Sequence, residues 1–172
     1  MSSRVLLAPL LLTALACASD DPTDRATLKN VKAFCVVVEV SDQSSQGGVD
    51  KDKLQADIEG RLQEEGAAID KNATTCLYLN VRALRAVGGK GKPLPLFGGK
   101  DKPLPLYAAD LRLEFLQTVA LTRDPTVKTY APTWSSANMT MVPAEDLGHT
   151  ALEIETGLVD RFVAAYKSVQ PH

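Results

Sequence analysis

From Ala109 to Leu121 apolar and polar residues take turns: Leu111, Leu113, Phe115, Val119 and Leu121 fall on one side, Asp110, Arg112, Glu114 and Thr118 on the other. A period of two belongs to a strand, so this stretch demands a sheet with one dry face and one wet face. Gln117 is the one polar residue on the dry side. Cys76 to Val87 repeats the pattern, with Leu77, Leu79, Val81 and Ala83 inward and Tyr78, Asn80 and Arg82 outward. A sheet wet on one face favours antiparallel pairing for these later strands. Val31 to Val40 (VKAFCVVVEV) is almost wholly apolar and β-branched, as expected of a strand deep in the sheet.

Two helical patterns supply the cover for the dry face. Leu54, Ile58 and Leu62 recur at helical spacing between about Lys51 and Glu65, with Asp50 placed to cap the start and Gly66 the end. Leu147, Ala151, Ile154, Leu158, Phe162, Ala165 and Val169 mark a long final helix starting between Ala144 and Thr150, weakened at Gly148 and Gly157. Ser41 to Gly48 reads as a loop. Val127 to Ser135 and Met139 to Val142 read as a hairpin turning at Ser136 to Asn138. The order β-α-β-β-β-(β)-α predicts an α+β two-layer sandwich, a mostly antiparallel sheet of about four to five strands with two helices on one face.

A chain of 172 residues is long enough for one domain with its own core. A domain near this size hides roughly 70% of its unfolded surface and needs no metal to hold it. Lys plus Arg is 19 against 21 Asp plus Glu, with no long basic run, which argues against nucleic-acid binding. Two His and three Cys leave few ligands for a transition metal, and no catalytic signature or cofactor motif is present. His149, the histidine of the folded body, has no GxSxG elbow or cysteine partner near it in sequence and reads as an exposed residue at a helix start. Asp42, Asp50, Asp52, Asp57 and Glu59 lack the spacing of a calcium loop and read as a solvated face.

The first residues, MSSRVLLAPLLLTALA, carry Arg4, a short apolar run broken by Pro9, and small residues. That is a signal peptide over residues 1–16, too short in its apolar part for a membrane span. Ala14-Leu15-Ala16-Cys17 resembles the bacterial lipobox, in which the Cys after the cut is lipidated and becomes the first residue of a lipoprotein. It departs from that pattern in having Ala14 where the family has Leu. The resemblance implies a lipid on Cys17 and a membrane held through it, while Ser19 to Arg25 (SDDPTDR), polar and without apolar periodicity, makes residues 17–30 read as a flexible tether ahead of a single domain, 31–172. Ordinary secretion stays open, because Ala16-Cys17-Ala18 offers a second cut before Ser19. In an exported chain Cys35 and Cys76 would meet oxidising conditions, where they are either a disulfide or two buried thiols.

Between the second and third strands a ten-residue unit is duplicated: GGKGKPLPLF from Gly88 to Phe97, then GGKDKPLPLY from Gly98 to Tyr107. Gly-Gly bends freely, Pro-Leu-Pro holds an extended strip, and an aromatic ends each copy. With Lys90, Lys92, Lys100 and Lys102, the loop at 88–107 is either a bivalent docking strip for an acidic partner or membrane surface, ending in Phe97 and Tyr107, or a duplication that a loop tolerates. Trp134 stands beside Pro132, which denies a ladder hydrogen bond and predicts an edge strand or a bulge there. It is either part of an exposed partner-binding edge or a cap on the core beneath the last helix.

The element order over about Val31 to Val169 is similar, at fold level, to small periplasmic domains such as the N-terminal domain of TolB and to envelope accessory lipoproteins. That resemblance implies a non-enzymatic protein-binding or accessory module with an envelope protein partner, and carries no site. The alternative is a soluble secreted domain holding a small apolar ligand or lipid between sheet and helices.

Overall fold

The computed structural model of the chain describes residues 21–86 and 105–170. Among the described residues the helices and strands follow in the order α1 (Pro22–Ala26), β1 (Ala33–Val40), α2 (Asp42–Gln46), α3 (Lys51–Glu64), β2 (Ala68–Ile69), β3 (Cys76–Arg85), β4 (Leu106–Leu121), β5 (Asp124–Pro143) and α4 (Leu147–Val169), with a single 3-10 turn at Ala144–Asp146 leading into α4. The strands form one sheet in the order β2-β1-β3-β4-β5. β1 lies parallel to both β2 and β3, with α3 in the connection, while β3, β4 and β5 form an antiparallel meander. The chain is thus an α+β fold with a mixed five-stranded sheet.

The alternation seen in sequence sets the layers. Leu77, Leu79, Val81 and Ala83 of β3 and Leu111, Leu113 and Phe115 of β4 are all buried, and they share one core with Leu54, Ile58 and Leu62 of α3 and Leu158, Phe162 and Ala165 of α4. Phe34 stands edge-on to both Phe115 and Phe162, with ring centroids 5.4 and 5.6 Å apart. Among the described residues the other face of the sheet carries no helix.

Local chemistry explains the helix ends. The Asp50 side chain accepts from the Lys53 N–H at 3.1 Å, and Gly66 takes φ of 84°, the left-handed backbone that ends α3. Arg61 on α3 and Glu65 just past its end pair with Asp160 and Lys167 on α4, clasping the two helices across their exposed side.

Three expectations are corrected. Ser41–Gly48 contains the short helix α2, because the Ser41 hydroxyl accepts the Ser44 N–H and caps a turn that glutamine and serine continue. Ser136–Asn138 is no turn: β5 runs through it, with Ser136 paired to Leu113 and its buried hydroxyl accepting from Arg161 of α4 at 3.2 Å. The reversal instead lies between Leu121 and Asp124. Finally, the expected tether is part of the domain from Asp21 onward. α1 precedes Leu28, which is fully buried, and the Val31 carbonyl accepts from the Tyr166 hydroxyl at 2.9 Å.

Candidate functional site

The open sheet face is the candidate site, and strand register builds it row by row. Val37, Tyr78, Glu114 and Ser135 form one row across β1, β3, β4 and β5. Glu39, Asn80, Arg112 and Ala137 form the next, then Arg82, Asp110 and Met139, then Leu84, Ala108 and Met141. Neighbouring strands stand about 5 Å apart, so each row is a run of side chains in reach of one another.

The centre of the face is polar and self-paired. The Tyr78 hydroxyl donates to Glu39 and accepts from the Asn80 amide at 2.9 Å. Burial and the adjacent Glu39 carboxylate push the Tyr78 phenol up from its ordinary value. Arg112 lies 3.9 Å from Glu114. Tyr78, Asn80, Arg82, Asp110, Arg112 and Glu114 line a shallow cleft of about 240 Å³. Two arginines against two acids leave it nearly neutral, suited to hydrogen bonding and not to gathering one sign of charge.

One end of the face is apolar. Leu84, Met139 and Met141 are 65%, 74% and 54% exposed. They sit where Arg85 and Tyr107 pair at the base of the duplicated segment. Toward the other end Cys35 and Cys76, opposite one another on β1 and β3, form a disulfide with Cα atoms 4.4 Å apart.

Cys17, Lys90, Lys92, Phe97, Lys100 and Lys102 lie outside the described residues. Tyr107 is a residue of β4, partly buried against the core and paired with Val142. Trp134 lies inward. It is 1% exposed, its ring edge-on to Phe162 at 5.2 Å, and so caps the core instead of facing a partner. Pro132 does lie on an edge strand and beside a bulge: Phe115 pairs with Trp134 but Leu116 with Pro132, leaving Thr133 as the extra residue. That one residue reverses the parity of the strand, so Tyr130 shares the open face while Trp134 points inward. Gln117 accounts for its inward position by donating to the Thr27 carbonyl at 2.9 Å and to the Thr133 hydroxyl at 2.7 Å.

Sequence reading missed one titratable residue. Glu155 is 1% exposed on α4, at the position the apolar stripe demands between Ala151 and Leu158, and its Oε1 has no hydrogen-bond partner among the described residues. Burial pushes its carboxyl up to about 7, against the attraction of Arg61. The signal was present in the spacing, since four residues after Ala151 falls on Glu155, not on the half-buried Ile154.

His149 pairs with Glu153 at 3.3 Å on the exposed side of α4. It borders a cleft of about 390 Å³ with Gly47, Gly48, Asp50 and Lys53. No helix among the described residues is long and apolar enough to cross a membrane.

No family model matches the chain, and no curated protein does. Among solved structures, a minor lipoprotein from Acinetobacter baumannii is 10% identical, with 77% of this chain and 93% of that one covered at a TM-score of 0.32. A neuraminyllactose-binding hemagglutinin homolog from Helicobacter pylori is 9% identical, with 81% and 90% covered at a TM-score of 0.36.

Proposed function

We propose that this chain is an exported domain of the cell envelope, held at a membrane by lipid on Cys17, and that it works by binding another envelope protein and not by catalysis. The observation that carries this reading is the open sheet face. Its exposed Leu84, Met139 and Met141 form an apolar end next to the strands that lead into the duplicated segment with Lys90, Lys92, Phe97, Lys100 and Lys102. A clustered apolar surface bordered by polar residues is the ordinary signature of a docking site. The Cys35–Cys76 disulfide fits a chain that matures outside the reducing cytosol.

Expression of the full chain in a bacterial host, beside a Cys17→Ser control, tests the anchor. A membrane-bound product whose N-terminal mass carries lipid on Cys17 is expected, with the control released. A soluble, unmodified chain cut before Cys17 or Ser19 sinks the lipoprotein reading. For the docking role, cutting back residues 88–104 is expected to abolish partner binding while leaving thermal stability nearly unchanged. Equal loss of both would mean that the segment serves the fold.

A further inference from the structure

We infer that β5 is a self-association edge, and that two copies of the chain join through it, antiparallel about a two-fold axis at Met139. Among the described residues β5 closes one side of the sheet, while the other side is closed by β2, which is only Ala68–Ile69. An edge strand presents a row of N–H and C=O groups to any strand that can reach it, and natural chains blunt such edges with short strands, lysines, prolines or bulges.

The first part of β5 is blunted in that way, by Pro125, Lys128, Pro132 and the extra residue Thr133, whose carbonyl accepts from the Thr27 hydroxyl. The second part is not. From Ser135 to Val142 the strand has no charge, proline, glycine or register shift. Such a run extends about 27 Å, long enough for a stable ladder.

Two observations choose a second copy over a different partner. No charged residue occurs from Thr129 to Ala144, so the edge gives a charged peptide nothing to read and sets no like charges opposite when paired with itself. Met139 and Met141 also lie on one face, the open one. With Met139 on the axis, the two Met139 side chains stand side by side on the open face, and Ala137 of each copy lies opposite Met141 of the other, so the seam on that face is apolar from Ala137 to Met141. Isologous pairing uses up the β5 edge of both copies and so closes the assembly at two, while on the opposite side of the sheet the Val36 carbonyl of β1 already accepts from the Gln55 amide of α3 at 3.0 Å. This pairing holds whether or not Cys17 is lipidated.

Sedimentation of the full chain carrying Cys17→Ser tests it, beside a Met139→Lys/Met141→Lys double variant and a Met139→Cys variant in the same background. The expected results are a doubled mass at raised concentration, a single-chain mass for the lysine variant with an unchanged circular dichroism spectrum, and a cross-linked dimer of the cysteine variant on a non-reducing gel. A parent that stays monomeric overturns the inference. So does a dimer that survives both lysines, or a Met139→Cys chain that does not cross-link. If the lysines unfold the chain, the cysteine variant decides.

Discussion

Cys35 and Cys76 stand opposite one another in the parallel ladder of β1 and β3, and their disulfide closes a sequence separation of 41 residues that holds α2, α3 and β2. A cross-link of that span removes freedom from the unfolded chain worth about 2–4 kcal/mol. Cys35→Ser combined with Cys76→Ser should therefore lower the urea midpoint with little change of secondary structure. The reductant sensitivity of the parent should vanish in the double variant. Midpoints that coincide with and without reductant would show that the bridge contributes nothing.

Glu155 ties stability to pH through a carboxyl whose folded value lies near 7, above its ordinary 4.5. Between those values the folded chain keeps a proton that the unfolded chain has released. Stability from this group is therefore full at acid pH, falls as pH rises through the window, and levels off above it. The fall amounts to about 3 kcal/mol at most. Glu155→Gln keeps the shape and removes the titration, so its stability should match the parent at acid pH and exceed it at pH 8. Parallel denaturation curves for the two proteins across the window would place the titration elsewhere.

What the sequence made legible was what periodicity encodes. The inward sets of β3 and of the first part of β4, the span of α3 and its Asp50 cap all follow from residue spacing and short-range chemistry. Errors came where a distant partner decides. Ser136 looks like a turn residue until Arg161 of α4 satisfies its hydroxyl, and the side Trp134 takes is open until Thr133 shifts the register of the strand. Glu155 was passed over because a carboxylate breaks an apolar stripe, although the stripe's own spacing points to it. The open face was legible as a wet face. Its apolar end was not, since Leu84, Met139 and Met141 come together only through the pairing of β3, β4 and β5.

Two glycines of α4 should respond in opposite directions. A Cβ on Gly157 would meet nothing within 4 Å, so Gly157→Ala should gain roughly 1 kcal/mol from helix propensity alone. A Cβ on Gly148 would sit 2.5 Å from the Gly48 carbonyl oxygen, which is backbone and has little room to give. Gly148→Ala should lower the melting temperature by forcing the start of α4 away from the turn after α2. Equal shifts of the same sign in both variants would mean that helix propensity, and not this close approach, governs position 148.

Trp134 and Phe162 separate a role in the fold from a role at the surface. Their rings meet edge-on at 5.2 Å, both are fully enclosed, and Phe162 also lies against Phe34 and Phe115. Removing either ring leaves a cavity in a core that cannot close over it, and truncation to alanine typically costs about 3–5 kcal/mol. Trp134→Ala and Phe162→Ala should therefore lose stability alike, read as urea midpoints. The exposed Val127→Ser should change the midpoint very little, because it empties no core space. A Trp134→Ala protein of parental stability would return that residue to the surface and reopen it as a partner contact.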